Sequence, residues 1–364
     1  MKDGPPRSRA VGGSAGRART PRRRPVPPEM RQIEGLVESL NPDASEELRR
    51  YVAEITLTAV RLLDGNTPLG DVKLLNAALR ELRYAFRVFA PYRQTRKVTV
   101  FGSGRKPEDS PECAQAERFA HLIADRGFMV ITGAGGGIMQ AAQAGAGRER
   151  SFGLNIRLPF EQMANETIRN DPKLLTFRYF FTRKLLFMKE ADAVALFPGG
   201  FGTNDEAYEC LTLIQTGKAP LIPVVCIDPP GSGFWQERRR YLERRLVGEG
   251  MISPEDLNLF RVTDDVSQAV EEIERFYRVY HSSRYVREKL VLRLTKAPRP
   301  EVLEELDRSF RDIVVMGGFE LRDGPLPEEN EPRLAALPRL VFHFNRLSFG
   351  RLRALIDVLN GAAG

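Results

Sequence analysis

The chain has 364 residues, of which 42% are apolar and 28% charged, so it is long enough for one large α/β domain with smaller attachments. No stretch approaches the roughly 18 apolar residues of a membrane span, and the N-terminus lacks the apolar core of a secretory signal. The net charge of +7 lies in residues 1–28, with eight Lys or Arg and one Asp, and the 47 basic and 47 acidic residues beyond them cancel. We therefore expect a cytoplasmic protein whose folded part binds neither nucleic acid nor membrane.

The N-terminal third of the chain divides into a tail and a helical region. Residues 1–29 are rich in Gly, Pro, Ser and Arg and are predicted to be a disordered basic tail, with weak contact to polyanions as the alternative to a merely flexible extension. Residues 30–94 are predicted to be helical, because apolar residues recur at three- and four-residue spacings over 34–40, 48–63 and 72–89. We expect these helices to form a layer on the main domain or on a second subunit.

Residues 95–281 alternate between strands and helices, which predicts a Rossmann-like, doubly wound parallel sheet of the α/β class. Three predicted strands end in Gly-rich turns, at 102–104, 133–137 and 198–203. Ligands of such sheets bind beyond the carboxyl ends of the strands, so these turns together predict a binding site. The predicted strands are 98–101, 128–131, 152–156, 174–177, 193–197, 222–227 and 259–262, and the predicted helices are 110–126, 138–147, 179–190, 203–216, 234–247 and 265–280.

Residues 282–364 are predicted to form a small α+β module of order β-α-β-β-α. Its sequence indicates no chemistry, so a role in packing or dimerisation stands beside a role in binding. The predicted strands are 289–294, 312–321 and 340–344, and the predicted helices are 300–310 and 350–360.

Cysteines and histidines show no pattern of metal binding or cross-linking. The cysteines form no Cys-x-x-Cys pair and are predicted to remain packed thiols. The histidines are widely separated and lack metal-ligand spacing, so no metal is expected. These residues are Cys113, Cys210, Cys226, His121, His281 and His343.

Two of the Gly-rich turns have a structural alternative to ligand binding. The turn at 102–104 alone is typical of an ordinary tight turn, and the three glycines at 135–137 fit either a ligand or a closely packed neighbouring strand. A dinucleotide fingerprint and a Walker-type phosphate loop are both absent. The start of the helix that follows Pro198 suits a phosphate group. Because both of those signatures are absent, we predict that the phosphate belongs to a mononucleotide.

Two charged residues bear on whether the protein only binds that nucleotide or also hydrolyses it. Thr203 and Glu206 match a capping box, in which threonine caps the helix and glutamate accepts from the cap's N–H; the alternative is a catalytic carboxylate that faces the ligand. Arg183 lies on an otherwise apolar helix and must pair, reach a cleft or extend into solvent. Lys184 is interpreted as a surface residue rather than a Schiff-base lysine.

Together these residues resemble the LOG ("Lonely Guy") family, formerly labelled possible lysine decarboxylases, over about 97–280. The family pattern Pro-Gly-Gly-x-Gly-Thr-x-x-Glu is met by residues 198–206, and an upstream Arg-Lys pair is met by residues 183–184. The Gly-Ser-Gly turn at 102–104 and the Gly-Gly-Gly-Ile-Met run at 135–139 are also similar to family features.

The resemblance implies an N-glycosidase that hydrolyses nucleoside 5′-monophosphates, AMP-like nucleotides or cytokinin riboside 5′-monophosphates, to free base and ribose 5-phosphate, with no metal or organic cofactor. In this role Glu206 holds the ribose hydroxyls, stabilises positive charge and orients water, and Arg183 stabilises negative charge on the nucleotide or leaving base. The resemblance also implies a homodimer or higher homo-oligomer. The implied substrate-binding residues are Gly102, Ser103, Gly135, Gly136, Gly137, Met139, Gly199, Gly200, Gly202 and Thr203.

Departures from the family pattern leave the base preference open. Gln140 stands where many relatives have Glu, and Asn204-Asp205 replaces the commoner Leu-Glu. The runs at 154–162 and 177–181 resemble a longer bacterial branch. The alternative function is a non-catalytic nucleotide or molybdenum-cofactor carrier of the same fold, and a pyridoxal-dependent decarboxylase is a distant third.

Overall fold

The computed structural model describes residues 27–158 and 163–361, which divide into two compact units at the Asn76–Ala77 bond. Most of the predicted basic tail, and the last four residues of the run at 154–162, lie outside the described residues. None of the helices in the described part combines the length and apolarity that a bilayer crossing requires.

The first unit is helical, as the sequence predicts. Helix α1 (Pro28–Leu40) begins at a proline, and α2 (Glu46–Val60) begins after Ser45, whose side chain accepts a hydrogen bond from the amide of Leu48. Both helices contribute to a small apolar cluster of Ile33, Ala53 and Leu57. Helix α3 (Leu69–Phe89) contributes residues to both units.

The second unit is built on a seven-stranded parallel sheet of order β4-β3-β2-β1-β5-β6-β7, which confirms the doubly wound α/β prediction. Helices follow most of its strands, as a crossover between parallel strands requires. The strands are β1 (Lys97–Phe101), β2 (Met129–Thr132), β3 (Ser151–Ile156), β4 (Leu174–Phe177), β5 (Ala193–Leu196), β6 (Val224–Ile227) and β7 (Arg261–Thr263). The helices are α4 (Pro111–Asp125), α5 (Ile138–Ala146), α6 (Phe180–Lys189), α7 (Phe201–Gln215), α8 (Phe234–Tyr241), followed by a π-helical turn, and α9 (Val266–Phe276).

Both faces of this sheet are buried, because successive side chains of each strand point to opposite faces. In β5, Ala193 and Ala195 lie in one apolar core, which also contains Phe119 of α4. Val194 and Leu196 lie in the other core. This arrangement explains why the central strands are nearly unbroken apolar runs in the sequence.

The order of the strands reverses between β1 and β5. The chain proceeds outward from β1 through β4 and then returns to place β5 on the other side of β1. At such a switch point the connections leave in opposite directions and open a crevice beyond the carboxyl ends of the two strands. The Gly-rich turns after β1 and β5 lie at this crevice.

The C-terminal residues form the predicted α+β module around a four-stranded antiparallel sheet of order β10-β11-β9-β8. Five buried apolar residues of its last helix belong to the same core as β5, so the module and the parallel sheet share apolar packing. The division of the chain at residues 281 and 282 stays a prediction. The elements are β8 (Tyr280–Val286), β9 (Lys289–Leu294), α10 (Pro300–Ser309), β10 (Glu320–Asp323), β11 (Pro338–Phe342) and α11 (Phe349–Gly361).

Two elements of the module differ from the sequence prediction. The helix predicted to reach residue 280 ends at Phe276, and the chain then enters β8, a strand that the prediction missed because four of its seven residues are polar or charged. Strand β8 forms because it pairs with β9 across a tight turn. The predicted strand over 312–321 was wrong except at its end, since 311–313 is a short 3₁₀ turn and β10 begins at Glu320.

Candidate active site at the sheet switch point

The three Gly-rich turns lie side by side beyond β2, β1 and β5. The amide of Ser103, in the turn after β1, donates to the carbonyl of Pro198 at 3.1 Å. The carbonyl of Ser103 accepts from the amide of Ile138 at 3.1 Å. The turn after β1 is therefore held on both sides by backbone hydrogen bonds, which fixes the floor of the crevice.

A cleft of about 670 Å³ opens above this floor. It is lined by nine of the twelve residues that the sequence predicts for the site, which are Gly102, Ser103, Met139, Arg183, Gly199, Gly200, Gly202, Thr203 and Glu206. The other three, Gly135, Gly136 and Gly137, are not among the lining residues. Their place is below the cleft, where the carbonyl of Gly135 accepts from Asn165 and Gly137 lies against the backbone of the neighbouring turn.

Further residues line the cleft that the sequence analysis did not select. Arg105 follows the turn after β1, and Arg238 lies on α8 with its guanidinium carbon 5.2 Å from the ring centroid of Phe234, a cation–π distance. Phe187 and Phe180 of α6 supply an apolar wall. The apolar pattern of α6 was visible in the sequence, but nothing in the spacing of Arg238 marks it as a cleft residue.

The helix that carries Glu206 begins two residues earlier than predicted. Helix α7 begins at Phe201 with Gly200 as its N-cap, and no side chain caps it. Thr203 is therefore the third residue of the helix rather than its cap, and the capping-box interpretation of Glu206 is wrong. The first N–H groups of a helix have no partner within the helix, so the start of α7 presents donors and the positive end of its dipole to the cleft.

Glu206 is a buried carboxylate between two cations. Its residue is 7% exposed, its Oε1 lies 3.9 Å from Arg183 Nη2, and its Oε2 lies 3.7 Å from Lys184 Nζ. Burial raises the pKa of Glu206 to about 7, although Lys184 and Arg183 act in the opposite direction. A carboxyl group with this pKa is half ionised near neutral pH and is suited to both charge stabilisation and proton transfer.

Arg183 extends into the cleft and not into solvent. Its side chain is 13% exposed, and its guanidinium carbon lies 4.9 Å from the ring centroid of Phe180 and 5.5 Å from that of Phe187. The buried Nε has no hydrogen-bond partner among the described residues. The guanidinium lines the cleft, and its charge suits an anionic or carbonyl-bearing ligand.

Lys184 is an internal ion-pair residue rather than a surface lysine. Its Nζ lies 2.9 Å from Asp205 Oδ2 and bonds Glu209. Burial alone would lower the pKa of Lys184, but its hydrogen bonds to Glu209 and Asp205 raise that pKa above the ordinary value. The amine thus stays charged, which is unfavourable for Schiff-base chemistry and favourable for holding Glu206.

Comparisons with known proteins bear on the domain that contains this cleft. The family model described as "Possible lysine decarboxylase" matches residues 136–273. The cytokinin riboside 5′-monophosphate phosphoribohydrolase of Mycobacterium tuberculosis is 28% identical over 154 residues, which cover 41% of this chain and 78% of the relative. The cytokinin riboside 5′-monophosphate phosphoribohydrolase LOG2 of Arabidopsis thaliana is 22% identical over 186 residues, which cover 50% and 84%.

Among solved structures, the molybdenum cofactor carrier protein of Chlamydomonas reinhardtii aligns with a TM-score of 0.35 and 19% identity, over 50% of this chain and 97% of the carrier. That similarity is too low to bear on function. The match to the family model and the two curated relatives bear on the domain that contains the cleft. On these findings, the domain that contains the cleft is similar to the LOG family.

Proposed function

We propose that this protein hydrolyses the N-glycosidic bond of nucleoside 5′-monophosphates, AMP-like nucleotides and cytokinin riboside 5′-monophosphates among them, releasing free base and ribose 5-phosphate. The observation that carries the proposal is the buried Glu206 beside Arg183 in a cleft that also contains the open start of α7. The activities in the names of the two curated relatives support the same reaction.

The 5′-phosphate binds at the start of α7 in this proposal. A Cβ built on Gly200 or Gly202 would meet no protein atom within 4 Å, so the backbone there is open to a ligand. The amides of the first turn and the hydroxyl of Thr203 donate to the phosphate oxygens, and the helix dipole favours their charge. The phosphate thereby fixes the distance between the sugar and Glu206.

Glu206 acts on the ribose. Cleavage of an N-glycosidic bond develops positive charge on the sugar ring, and a fixed carboxylate in a site of low dielectric stabilises that charge. The ionised Glu206 holds the ribose hydroxyls, faces the developing cation and orients the attacking water. Because the pKa of Glu206 is about 7, this form becomes dominant only above neutral pH.

Arg183 acts on the negative charge. When the glycosidic bond breaks, its electrons move to the base, and the guanidinium of Arg183, which lines the cleft, stabilises that negative charge in this proposal. The rings of Phe180 and Phe187 restrict the guanidinium to one side of the cleft. The chemistry needs no further group beyond water.

We extend the proposal to a homodimer or higher homo-oligomer. Phe201 is 96% exposed at the first position of α7, and Phe180, Phe181 and Leu185 of α6 are each about half exposed. In this proposal these exposed apolar residues form part of the interface between copies of the chain. Light scattering on the purified chain tests the extension, which a monomeric mass contradicts.

The activity test compares the wild type with Glu206→Gln on AMP, GMP, CMP, UMP and isopentenyl-AMP, with free base and ribose 5-phosphate as the measured products. The wild type is expected to cut at least one nucleotide, and Glu206→Gln to lose at least a hundredfold in kcat. Glu243→Gln, which changes an exposed carboxylate of the same unit, is expected to keep full activity. A wild type that binds a nucleotide and cuts none indicates the carrier alternative instead.

A stability measurement separates loss of catalysis from loss of fold. The folded pKa of Glu206 is raised from 4.5 to about 7, so its ionisation lowers the stability of the wild type as pH rises from about 4.5 to about 7. Glutamine mimics the protonated acid, and Glu206→Gln is expected to be more stable than the wild type at pH 8, by up to about 3 kcal/mol, and equal to it at pH 4. A variant that melts lower at pH 8 contradicts this assignment.

A further inference from the structure

The helix that carries Arg183 and Lys184 has no cap of its own. Helix α6 begins at Phe180, and its N-cap residue Tyr179 provides no side-chain hydrogen bond to the first turn. The hydrogen bond from the Arg183 amide to the Tyr179 carbonyl is long, at 3.5 Å. With a weak first bond and no side-chain cap, the position of this helix start depends on contacts to its flanking backbone and first-turn side chains.

Glu81 of α3 provides such contacts, to the backbone just before the helix and to a side chain of its first turn, although it lies about a hundred residues away in sequence. Its Oε1 accepts from the amide of Arg178 at 2.8 Å, and its Oε2 accepts from Thr182 Oγ1 at 2.8 Å. Thr182 is fully buried and also contacts the carbonyl of Tyr179 at 2.9 Å. One carboxylate thus bridges the residues on both sides of the helix start, and its charge complements the helix dipole.

We propose that Glu81 is a positioning residue for Arg183, so that the last turns of α3 belong to the functional site. This inference rests on the proposed function. Thr182 immediately precedes Arg183, and any shift of the first turn of α6 moves the guanidinium relative to Glu206. The family-model match covers residues 136–273 and does not include α3.

An ordinary capping role and a positioning role predict different magnitudes. A lost cap lowers stability modestly, by a few degrees in melting temperature for a chain of this size. A catalytic group misplaced by about 1 Å costs about a hundredfold in rate. If Glu81 positions Arg183, the loss in kcat is therefore much larger than the change in melting temperature, and KM changes little because the phosphate is held at α7.

Three variants are informative. Glu81→Ala removes both acceptors and is expected to lower kcat by about thirtyfold or more, with KM within about twofold. Glu81→Gln keeps one acceptor, and its amide can donate to a Thr182 hydroxyl that turns to Tyr179, so it is expected to recover most of the rate. Phe86→Leu is the matched control, because Phe86 of α3 contacts Lys189 at the other end of α6, and it is expected to keep full activity.

A double-mutant cycle with Arg183→Lys tests whether Glu81 acts through Arg183. The combined variant is expected to be no slower than Arg183→Lys alone. Multiplicative losses, or an unchanged kcat in Glu81→Ala, overturn the proposal. A fall in kcat of Glu81→Ala that the Phe86→Leu control reproduces also overturns it.

Amide exchange measured by mass spectrometry keeps this inference separate from the proposed function. Glu81→Ala is expected to raise exchange across residues 178–184 above that of Phe86→Leu and to leave α7 unchanged. If the wild type cuts no nucleotide, the proposed function fails while this exchange result still judges the contact. Equal exchange in the two variants overturns the inference whether or not the protein is an enzyme.

Discussion

The turns after β2 and after β5 are both rich in glycine, but the protein uses them differently. In the turn after β2, a Cβ on Gly137 would lie 2.4 Å from the carbonyl oxygen of Ser103, and the backbone there has a positive φ of 58°. In the turn after β5, Gly200 and Gly202 face open space. The first turn therefore needs glycine to pack against its neighbour, whereas the second leaves its backbone uncovered for a ligand.

This difference teaches that a glycine run beside a sheet edge is ambiguous until its neighbours are known. The cleft excludes 135–137 and includes 199–202 although both runs open a helix at the same end of the sheet. Gly133 of the turn after β2 lines the cleft. Residues 135–137 support the site indirectly, since the amide of Ile138 that follows them holds the turn after β1 through the carbonyl of Ser103. Substitutions at the two turns should consequently affect different properties.

The largest effect is expected at Gly137. An alanine there must adopt a backbone conformation that L-residues rarely take and must displace the Ser103 carbonyl, so Gly137→Ala is expected to cost more than about 4 kcal/mol of stability. Urea unfolding followed by circular dichroism measures the loss. A soluble variant with the wild-type midpoint contradicts the packing role assigned to this turn.

A smaller and opposite pattern is expected at Gly202. Alanine suits the first turn of α7 better than glycine and meets no protein atom, so Gly202→Ala is expected to melt at or slightly above the wild-type temperature. If the phosphate binds at the start of α7 as proposed, the added methyl group obstructs it, and the dissociation constant for AMP is expected to rise about tenfold, or about 1.4 kcal/mol.

The control for Gly202→Ala is Gly35→Ala. Gly35 lies within α1, and its added Cβ also meets no atom within 4 Å. It is expected to show a similar gain in helix stability with unchanged nucleotide binding, which isothermal calorimetry measures. Equal affinities of the wild type and Gly202→Ala for AMP would contradict phosphate binding at the start of α7.

The sequence predicted the parallel sheet well because its strands are apolar runs that end at glycines, a signal that burial on both faces produces. It predicted β8 poorly because Tyr280–Val286 is held by pairing with β9 rather than by burial. The start of α7 was misplaced because the Thr-x-x-Glu pattern indicates a cap, whereas the helix begins at Phe201 with Gly200 as its N-cap.

The part of the site that the sequence did not predict comes from distant chain segments. Arg238 and Glu81 lie on helices whose surfaces carry many charged residues, and no local pattern distinguishes them from solvated neighbours. The packing of α8 brings Arg238 to the cleft, and the packing of α3 brings Glu81 to the start of α6. The motif residues, by contrast, are close in sequence to a strand end, and the topology alone places them together.

The smallest effect is expected on the pH dependence of kcat/KM when the positive charge of Lys184 beside Glu206 is removed. Lys184 lies 3.7 Å from Glu206 and opposes the rise in the pKa of Glu206 that burial causes. In the wild type, kcat/KM is expected to rise with pH and to level off above about 7, because this quantity follows the ionised carboxylate of the free enzyme.

Lys184→Met removes the nearby positive charge, so the pKa of Glu206 rises further and the rising limb is expected to move to higher pH by about one unit. Lys189→Met, which changes an exposed lysine on the same helix, is expected to leave the limb in place. If the rising limb of Lys184→Met also stays in place, the group that titrates is not Glu206. The catalytic role proposed for the Glu206 carboxylate is then wrong.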